Sequence, residues 1–272
     1  MIEEVPLFFP NGRYSLFGVL HKANGPTSLP AFVFCHPFGE EKLWTHRVFV
    51  GYARLLAAAG HPVLRFDYMG NGDSGGGFSE SSVATACADV HCAIEQVRGL
   101  TGARTVSLLG LRLGATIASL VADEASDLQH LVLWAPIVDG DRYMQELLRI
   151  NVTTQMATFK EIRQERPALV EVMRQGNTVN VDGYEMSFPL YSEVAALKLA
   201  AAPHRHTGPC LVAQIDRQER PSPELQQLAA CYSRATVAFA QEEPFWKEIA
   251  RSYQQHAASL FAVTSDWLKV NA

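Results

Sequence analysis

The chain has 272 residues, of which 48% are hydrophobic and 19% charged, and its formal net charge is −5. This composition is that of a globular protein with an ample core and excludes a long disordered region. There is no Lys/Arg-rich run, which argues against a binder of nucleic acid or of anionic membranes, and no segment reaches the roughly 18 apolar residues of a membrane span. We therefore expect a small-molecule or protein partner, no nucleic acid and no membrane span.

Three features of the sequence bear on the compartment of the protein and on possible cofactors: the N-terminus, the cysteines and the glycine-rich loop. The acidic start of the chain lacks the basic and apolar regions of a signal peptide, so we expect a cytoplasmic protein. The five cysteines lack the C-x-x-C spacing of zinc or redox sites and are interpreted as reduced thiols, with no metal. The glycine-rich loop at 70–77 lacks the features of a dinucleotide fingerprint, so no cofactor is expected.

Short apolar runs alternate with segments of helical period, which is typical of a mostly parallel sheet with helices on both faces. The pattern predicts, in chain order, strands at 4–9 and 14–21 joined as an antiparallel edge by an Asn-Gly turn, a strand at 31–35, a helix at 44–60, a strand at 62–67, the glycine-rich loop, a helix at 82–100, a strand at 105–109, a helix at 113–125, a strand at 131–135, strands at 210–215 and 236–240, and a helix at 245–270. The prediction is an α/β fold with about eight strands.

The stretch 137–203 breaks this alternation. It contains helical pieces at 143–150 and 159–175 and a polar turn at 177–183. We interpret it as a lid inserted into a core formed by 1–136 and 204–272, because insertions over such a sheet often carry specificity.

The turn Gly110-Leu111-Arg112-Leu113-Gly114 follows a predicted strand and opens a predicted helix. In the related pattern G-x-S-x-G, the glycines permit a sharp turn that pushes the central side chain above the sheet. Arginine is permanently protonated and has no available lone pair, so Arg112 cannot act as a nucleophile or general base. Two hypotheses remain: Arg112 binds an anionic group of a ligand, or it pairs with an acidic residue of the protein and closes the site.

A second loop, Cys35-His36-Pro37-Phe38-Gly39-Glu40-Glu41-Lys42, follows the strand at 31–35. A His-Pro-x-Gly loop can point backbone N–H groups into a cleft, as an oxyanion hole requires. We expect the substrate-binding residues to come from this loop, the Arg112 turn and the loop after the last strand: His36, Phe38, Gly39, Glu40, Leu113 and Trp246.

With these loops, the segments FDYMGNGDSGG and GYEMSFPLYSEVAALKL carry a resemblance that covers most of the chain. The sequence resembles the serine aminopeptidase S33-like branch of the α/β-hydrolases, and within it the proteins labelled "hydrolase 2, exosortase A system-associated". The resemblance implies an α/β-hydrolase fold with a nucleophile, an acid and a histidine. The chain departs from that pattern at Arg112.

The fold implied by the resemblance places the acid of a catalytic triad after the strand that follows the lid, where Asp216 stands, and the histidine after the last strand. That second loop has no histidine but contains Glu243, and His256 is predicted to lie some 15 Å further along the terminal helix. The triad is therefore degenerate. The candidate catalytic residues are Arg112, Asp216, Glu243 and Glu41, and any of the acids, Glu40 included, could pair with Arg112.

Three functional hypotheses follow. The protein is a hydrolase or acyl-transfer enzyme in which a carboxylate activates water on an ester, thioester or amide while Arg112 holds an anionic group. Alternatively, it is a pseudo-enzyme that binds a metabolite or a partner, or it performs non-hydrolytic chemistry such as a lyase or cyclisation step. A homodimer through the exposed edge strands is a further hypothesis. Except where the pseudo-enzyme binds a partner enzyme, we expect the substrate or ligand to be a small molecule, anionic or acyl.

Overall fold

The computed structural model describes residues 2–25, 28–247 and 256–272. Its centre is an eight-stranded sheet. The strands are β1 (Glu4–Asn11), β2 (Tyr14–His21), β3 (Ala31–Cys35), β4 (Val63–Phe66), β5 (Val106–Leu111), β6 (Leu128–Trp134), β9 (Cys210–Asp216) and β10 (Ala235–Gln241), and their spatial order is β1-β2-β4-β3-β5-β6-β9-β10. β1 pairs with β2 and β2 with β4 in antiparallel fashion, and the other pairings are parallel. The predicted mostly parallel sheet with an antiparallel edge is confirmed.

The helices cover both faces of the sheet. They are α1 (Glu40–Ala58), α2 (Val83–Thr101), α3 (Leu113–Glu124), α4 (Gly140–Phe159), α5 (Arg166–Arg174), α6 (Phe188–Ala195), α7 (Pro223–Ala230) and α8 (Ala258–Val270). α1 and α8 supply the core on one face, and α2, α3 and α7 supply it on the other. Because each central strand meets helices on both sides, every residue of β3 and β5 is buried, which explains their continuous apolar sequences.

Trp134 at the end of β6 joins the sheet to the last helix. Its side chain is fully buried, packs against the rings of Phe49 and Tyr52, and donates its indole N–H to Thr264 on α8 at 3.0 Å. A buried indole needs such an acceptor, because an unpaired N–H in the core is costly. This contact fixes α8 against the carboxyl half of the sheet.

The segment between β6 and β9 builds a third hydrophobic cluster of its own from α4, α5, α6 and a hairpin, β7 (Val179–Val181) and β8 (Tyr184–Met186). The predicted polar turn is the tip of this hairpin, where Asp182 and Gly183 both have positive φ, as a tight hairpin turn requires. The helix predicted at 159–175 is wrong at its start. α4 continues to Phe159, and α5 begins only at Arg166, where Pro167 fits the first turn of a new helix.

Two further boundaries differ from the sequence prediction. α1 begins at Glu40 rather than at 44, because acidic side chains are favourable in the first turn of a helix. The last helix begins at Ala258, and His256 is an exposed residue before it, so the expectation that His256 lies inside that helix is wrong. Residues 245–247 form a turn, and the part of the predicted helix over 248–255 lies outside the described residues.

Candidate functional site

The turn at Arg112 joins β5 directly to α3. Arg112 has φ 56° and ψ −125°, a conformation that side-chain-bearing residues rarely adopt. A Cβ on Gly110 would collide with the backbone of Gly114 and Ala115, and one on Gly114 would collide with the carbonyl oxygen of Cys35. Both glycines are therefore required for the first turn of α3 to sit so close to β3 and β5. The predicted sharp turn is present.

The side chain of Arg112 is held by α1 and α4. Its Nε lies 3.2 Å from Oε1 of Glu41, and the hydroxyl of Tyr143 donates to the other oxygen of that carboxylate at 3.2 Å. The guanidinium carbon lies 5.0 Å from the ring centre of Trp246 and 5.4 Å from that of Tyr143. The Arg112 and Glu41 side chains are each only 15% exposed. The cation is therefore paired and covered by two aromatic rings.

Burial dominates the electrostatics of this group. It raises the pKa of Glu41, and the positive charge and hydrogen bond of Arg112 and the hydroxyl of Tyr143 act in the opposite direction. Burial, followed by the negative charge of Glu41, raises the pKa of Tyr143 well above its ordinary value. Arginine keeps its charge, and this charge favours the ionised form of Glu41 against the effect of burial. Removing either partner leaves a charge or a carboxyl group in a poorly hydrated place.

The other predicted acids lie elsewhere. Glu243 pairs with Arg217 at 2.5 Å rather than with Arg112. Asp216, the last residue of β9, is exposed, and its carboxylate has no ion-pair partner among the described residues. Burial, followed by the negative charge of Glu40, raises the pKa of Tyr184. Of the four acids, the structure brings only Glu41 to Arg112.

His36 has a structural role. It is buried, its Nδ1 lies 2.7 Å from the carbonyl oxygen of Pro37, and its Nε2 accepts the backbone N–H of Tyr68 at 3.3 Å. These partners require a neutral ring with the proton on Nδ1, so that Nδ1 donates to Pro37. Burial, reinforced by the charge of Lys42, lowers the pKa of His36 to about 3. The side chain fixes the loop and is unsuited to act as a base.

A small cavity lies between this loop, the Arg112 turn and the segment 137–203, with a volume of about 50 Å³. The rings of Phe38, Phe78 and Tyr184 pack against one another nearby, with Phe38–Phe78 and Phe78–Tyr184 centroid distances of 5.2 and 5.1 Å. Gly39 is close under Tyr184, where an added Cβ would be 3.5 Å from the ring. The cavity walls are mainly apolar and include Phe38, Met69, Phe78, Leu113, Leu190 and Val194.

The glycine-rich loop is a structural support. The hydroxyl of Ser74 donates to the carbonyl of Asp67 at 2.6 Å and accepts the N–H of Phe17 at 2.8 Å, so it is fully used. Lys42 pairs with the Asp67 carboxylate at 2.6 Å. A Cβ on Gly72 would collide with that carboxylate, which explains the glycine.

Asp89 was not predicted from the sequence to be a site residue. It is a buried residue of α2 on the cavity wall, and it accepts the backbone N–H of Met69 at 2.7 Å and the side-chain amide of Asn11 at 2.5 Å. Burial raises the pKa of Asp89 to about 6. Its one sequence signal is an acidic residue within an apolar helical face.

Trp246 is only 6% exposed, and its indole Nε1 has no hydrogen-bond partner within the described residues. No cluster of three or more metal-binding side chains is found in ranges 2–25, 28–247 and 256–272. In the same ranges, every helix is too short or too polar to cross a membrane.

Comparison with known proteins identifies the family. The model of the family described as Hydrolase_4, serine aminopeptidase S33, matches residues 28–193, which is more than half of the chain. A stretch of 114 residues, 40% of this chain, is 30% identical to the human (Homo sapiens) protein ABHD12B, and it corresponds to 30% of that relative's length.

Two solved structures show the same fold. Est1E from Butyrivibrio proteoclasticus, solved with ferulic acid, has a TM-score of 0.69 at 14% identity, with 97% of this chain and 98% of that chain covered. Alpha/beta hydrolase domain-containing protein 10 from mouse has a TM-score of 0.62 at 17% identity, with 98% and 100% covered. These likenesses establish an α/β-hydrolase fold, and the family match goes further: the chain belongs to the serine aminopeptidase S33 family.

Proposed function

We propose that this protein is a non-hydrolytic member of its family, which binds a small acyl compound with an anionic group and does not turn it over by a serine mechanism. In this proposal Arg112 occupies the nucleophile position. The observation that carries it is the pairing of Arg112 with Glu41 beneath the rings of Tyr143 and Trp246. Where a hydrolase needs a nucleophile with space above it, this turn presents a covered ion pair.

The chemistry of the surrounding groups supports the absence of serine hydrolysis. Arg112 has no lone pair with which to attack a carbonyl carbon. His36 is locked between two backbone groups and Ser74 is saturated with hydrogen bonds, so neither supplies a replacement base or nucleophile. His256 is exposed ahead of α8 rather than following β10 directly.

The ligand class is inferred from the cavity and from the donors around Arg112. The cavity of about 50 Å³ has apolar walls at Phe38, Leu113 and Leu190, which suit a short acyl group. The Nη atoms of Arg112 have no carboxylate partner in the described part of the chain, and the unpaired indole N–H of Trp246 is close to the same cation. An anionic group of the ligand would find donors there.

The proposal extends to the narrower family type, the cellular compartment and the lid. The GLRLGA turn and the HPFGEEK loop support the exosortase A system-associated hydrolase 2 type. All five cysteines are free thiols, which supports a reducing compartment and hence the cytoplasm. We also propose that residues 137–203 serve as the lid.

A second candidate is favoured by the burial of Glu41 beside Arg112, which raises the pKa of this carboxyl group. A buried carboxyl group with a raised pKa is a common general acid or base. In this alternative, Glu41 activates water and Arg112 holds the anionic group of the substrate. Turnover would then depend on Glu41.

The test is hydrolysis of a panel of p-nitrophenyl esters and acyl thioesters by the wild type, Arg112→Ser, Arg112→Gln and Glu41→Gln, together with binding of the corresponding short-chain carboxylates followed by tryptophan fluorescence. We expect no turnover above background in any form, and carboxylate binding that Arg112→Gln weakens while Arg142→Gln, an exposed arginine paired with Glu224, leaves it unchanged. Wild-type turnover that Glu41→Gln abolishes would establish the second candidate. The absence of both turnover and binding would contradict both candidates.

A further inference from the structure

A second cavity lies on the other face of the sheet, between α1 and the strands β2 and β4, with a volume of about 170 Å³. We call it the Arg65 cavity. Four phenylalanines and Val19 form its apolar walls, and its polar groups come from α1, from β4 and the residue after it, from the glycine-rich loop and from the loop after β3. The lining residues are Phe17, Val19, Phe34, His36, Lys42, Thr45, His46, Phe49, Arg65, Phe66, Asp67 and Asp73.

Arg65 is a partly buried cation without a bonded carboxylate. Its Nε donates to Nε2 of His21 at 2.9 Å, and its two Nη atoms have no acceptor among the described residues. His21 is fully buried and 3.2 Å from Glu4, and burial together with the charge of Arg65 lowers the pKa of His21 to about 4. The direct partner of Arg65 is therefore a neutral imidazole.

Two nearby carboxylates, those of Glu4 and Asp67, are bound to other cations. Glu4 accepts two hydrogen bonds from Arg54, at 2.6 and 3.1 Å. Asp67 pairs with Lys42 at 2.6 Å. Both carboxylates act on Arg65 only at a distance, and burial lowers the pKa of this guanidinium. A buried cation in this condition gains from a further anion.

At His46 the strongest charge effects come from cations, although the whole chain carries −5. After burial, the charges of Arg65 and Lys42 are the largest causes that lower the pKa of His46, and both precede the opposing effect of Asp67. His46 stands on α1 one turn after Lys42, so the two side chains face the same side of the helix. The cavity therefore favours a negative group near Arg65 and His46.

We propose that the Arg65 cavity is a second ligand site, which binds a small monoanionic carboxylate through the Nη atoms of Arg65 and packs the apolar body of the ligand against the phenylalanines. A carboxylate matches the planar fork of a guanidinium with two parallel hydrogen bonds. Because Asp67 and Asp73 also line the cavity, a doubly charged phosphate is repelled more than a monoanion. The volume suits a ligand about the size of benzoate.

The experiment is a titration of the full chain with benzoate, with its neutral isostere benzamide and with inorganic phosphate, followed by calorimetry and by the NMR shifts of the His46 ring. We expect benzoate to bind about tenfold or more tightly than benzamide and phosphate, and to shift the His46 resonances. Arg65→Gln should weaken benzoate binding about tenfold or more, whereas Arg174→Gln, an exposed arginine paired with Glu171, should leave it unchanged.

Two outcomes would overturn the proposal: equal affinity for benzoate and benzamide, or benzoate binding without a change at His46. The His46 shift needs no variant, so the test stands even if Arg65→Gln does not fold. It also separates this site from Arg112, because Arg112→Gln should leave the benzoate-induced shift of His46 intact.

Discussion

Arg112 combines a strained backbone with a paired side chain. Its turn could be predicted because two glycines at fixed spacing leave few alternatives, and the arginine chemistry follows from the residue type. The partner could not be chosen from the sequence, since Glu41 is 71 positions away and four acids on three loops were equally good candidates. Glu41 lies within reach of Arg112 because α1 begins at Glu40. A helix that began one turn later would leave Glu41 in a loop.

We expect Arg112 and Glu41 to be energetically coupled. Arg112→Met should lower the free energy of unfolding by about 3 kcal/mol, because it leaves a buried carboxylate without its cation. Combining it with Glu41→Gln should cost less than the sum of the single changes by about 1 to 3 kcal/mol. Urea denaturation of the four proteins measures this cycle. Additivity within about 0.5 kcal/mol would mean that the pair contributes nothing as a pair.

At the scale of elements, strands were predicted better than helix ends. Fully buried strands such as β3 and β5 can be predicted from a continuous apolar sequence between turn residues. Helix boundaries depend on capping contacts that pattern alone does not show. The break between α4 and α5 is an example: Gln155 accepts the N–H groups of Arg163 and Gln164, which holds 160–165 as an ordered loop where helical periodicity suggested continuity.

The start of α2 gives a matched test of capping. The hydroxyl of Ser82 accepts the N–H of Thr85 at 3.0 Å, and the Thr85 hydroxyl accepts the N–H of Ser82 at 2.9 Å. Ser82→Ala should therefore lower the free energy of unfolding by about 1 kcal/mol. Ser187 precedes α6 without making a capping bond, so Ser187→Ala should stay within about 0.5 kcal/mol of the wild type. Equal losses in chemical denaturation would contradict this account of the two helix starts.

At the scale of the whole molecule, the sheet order and the family follow from the alternation of elements and the loop motifs. The burial of particular polar residues cannot be predicted from these patterns. The local sequence does not indicate that His21 and His36 would be enclosed, and for Asp89 it offers only an acidic residue within an apolar helical face, because each is buried by elements distant along the chain. These residues nevertheless decide how stability depends on pH.

We expect the protein to lose stability on mild acidification. The folded chain keeps His21 and His36 neutral, with pKa values lowered to about 4 and about 3, whereas in the unfolded chain they take up protons below about pH 6.5. Each imidazole then lowers the free energy of unfolding by about 1.4 kcal/mol per pH unit as the pH falls from about 6.5 towards these values. Asp89, whose pKa is raised to about 6, opposes this below pH 6 by binding a proton first in the folded state.

Urea midpoints at pH 7 and pH 5 check the sign, and Asp89→Asn supplies the control. Removing the opposing carboxyl group should make the fall in stability between these pH values steeper. A wild type that becomes more stable at pH 5 would contradict the assignment of neutral buried histidines.

We propose that this chain of the serine aminopeptidase S33 family has no serine nucleophile. The most direct measurement is the intact mass of the wild-type protein after incubation with an excess of a fluorophosphonate, which phosphonylates activated serines. We expect no mass increase, because Arg112 cannot be phosphonylated as a serine is and Ser74 is saturated with hydrogen bonds. Stoichiometric gain of one phosphonyl group on a serine would contradict the account and restore the protein to the serine hydrolases.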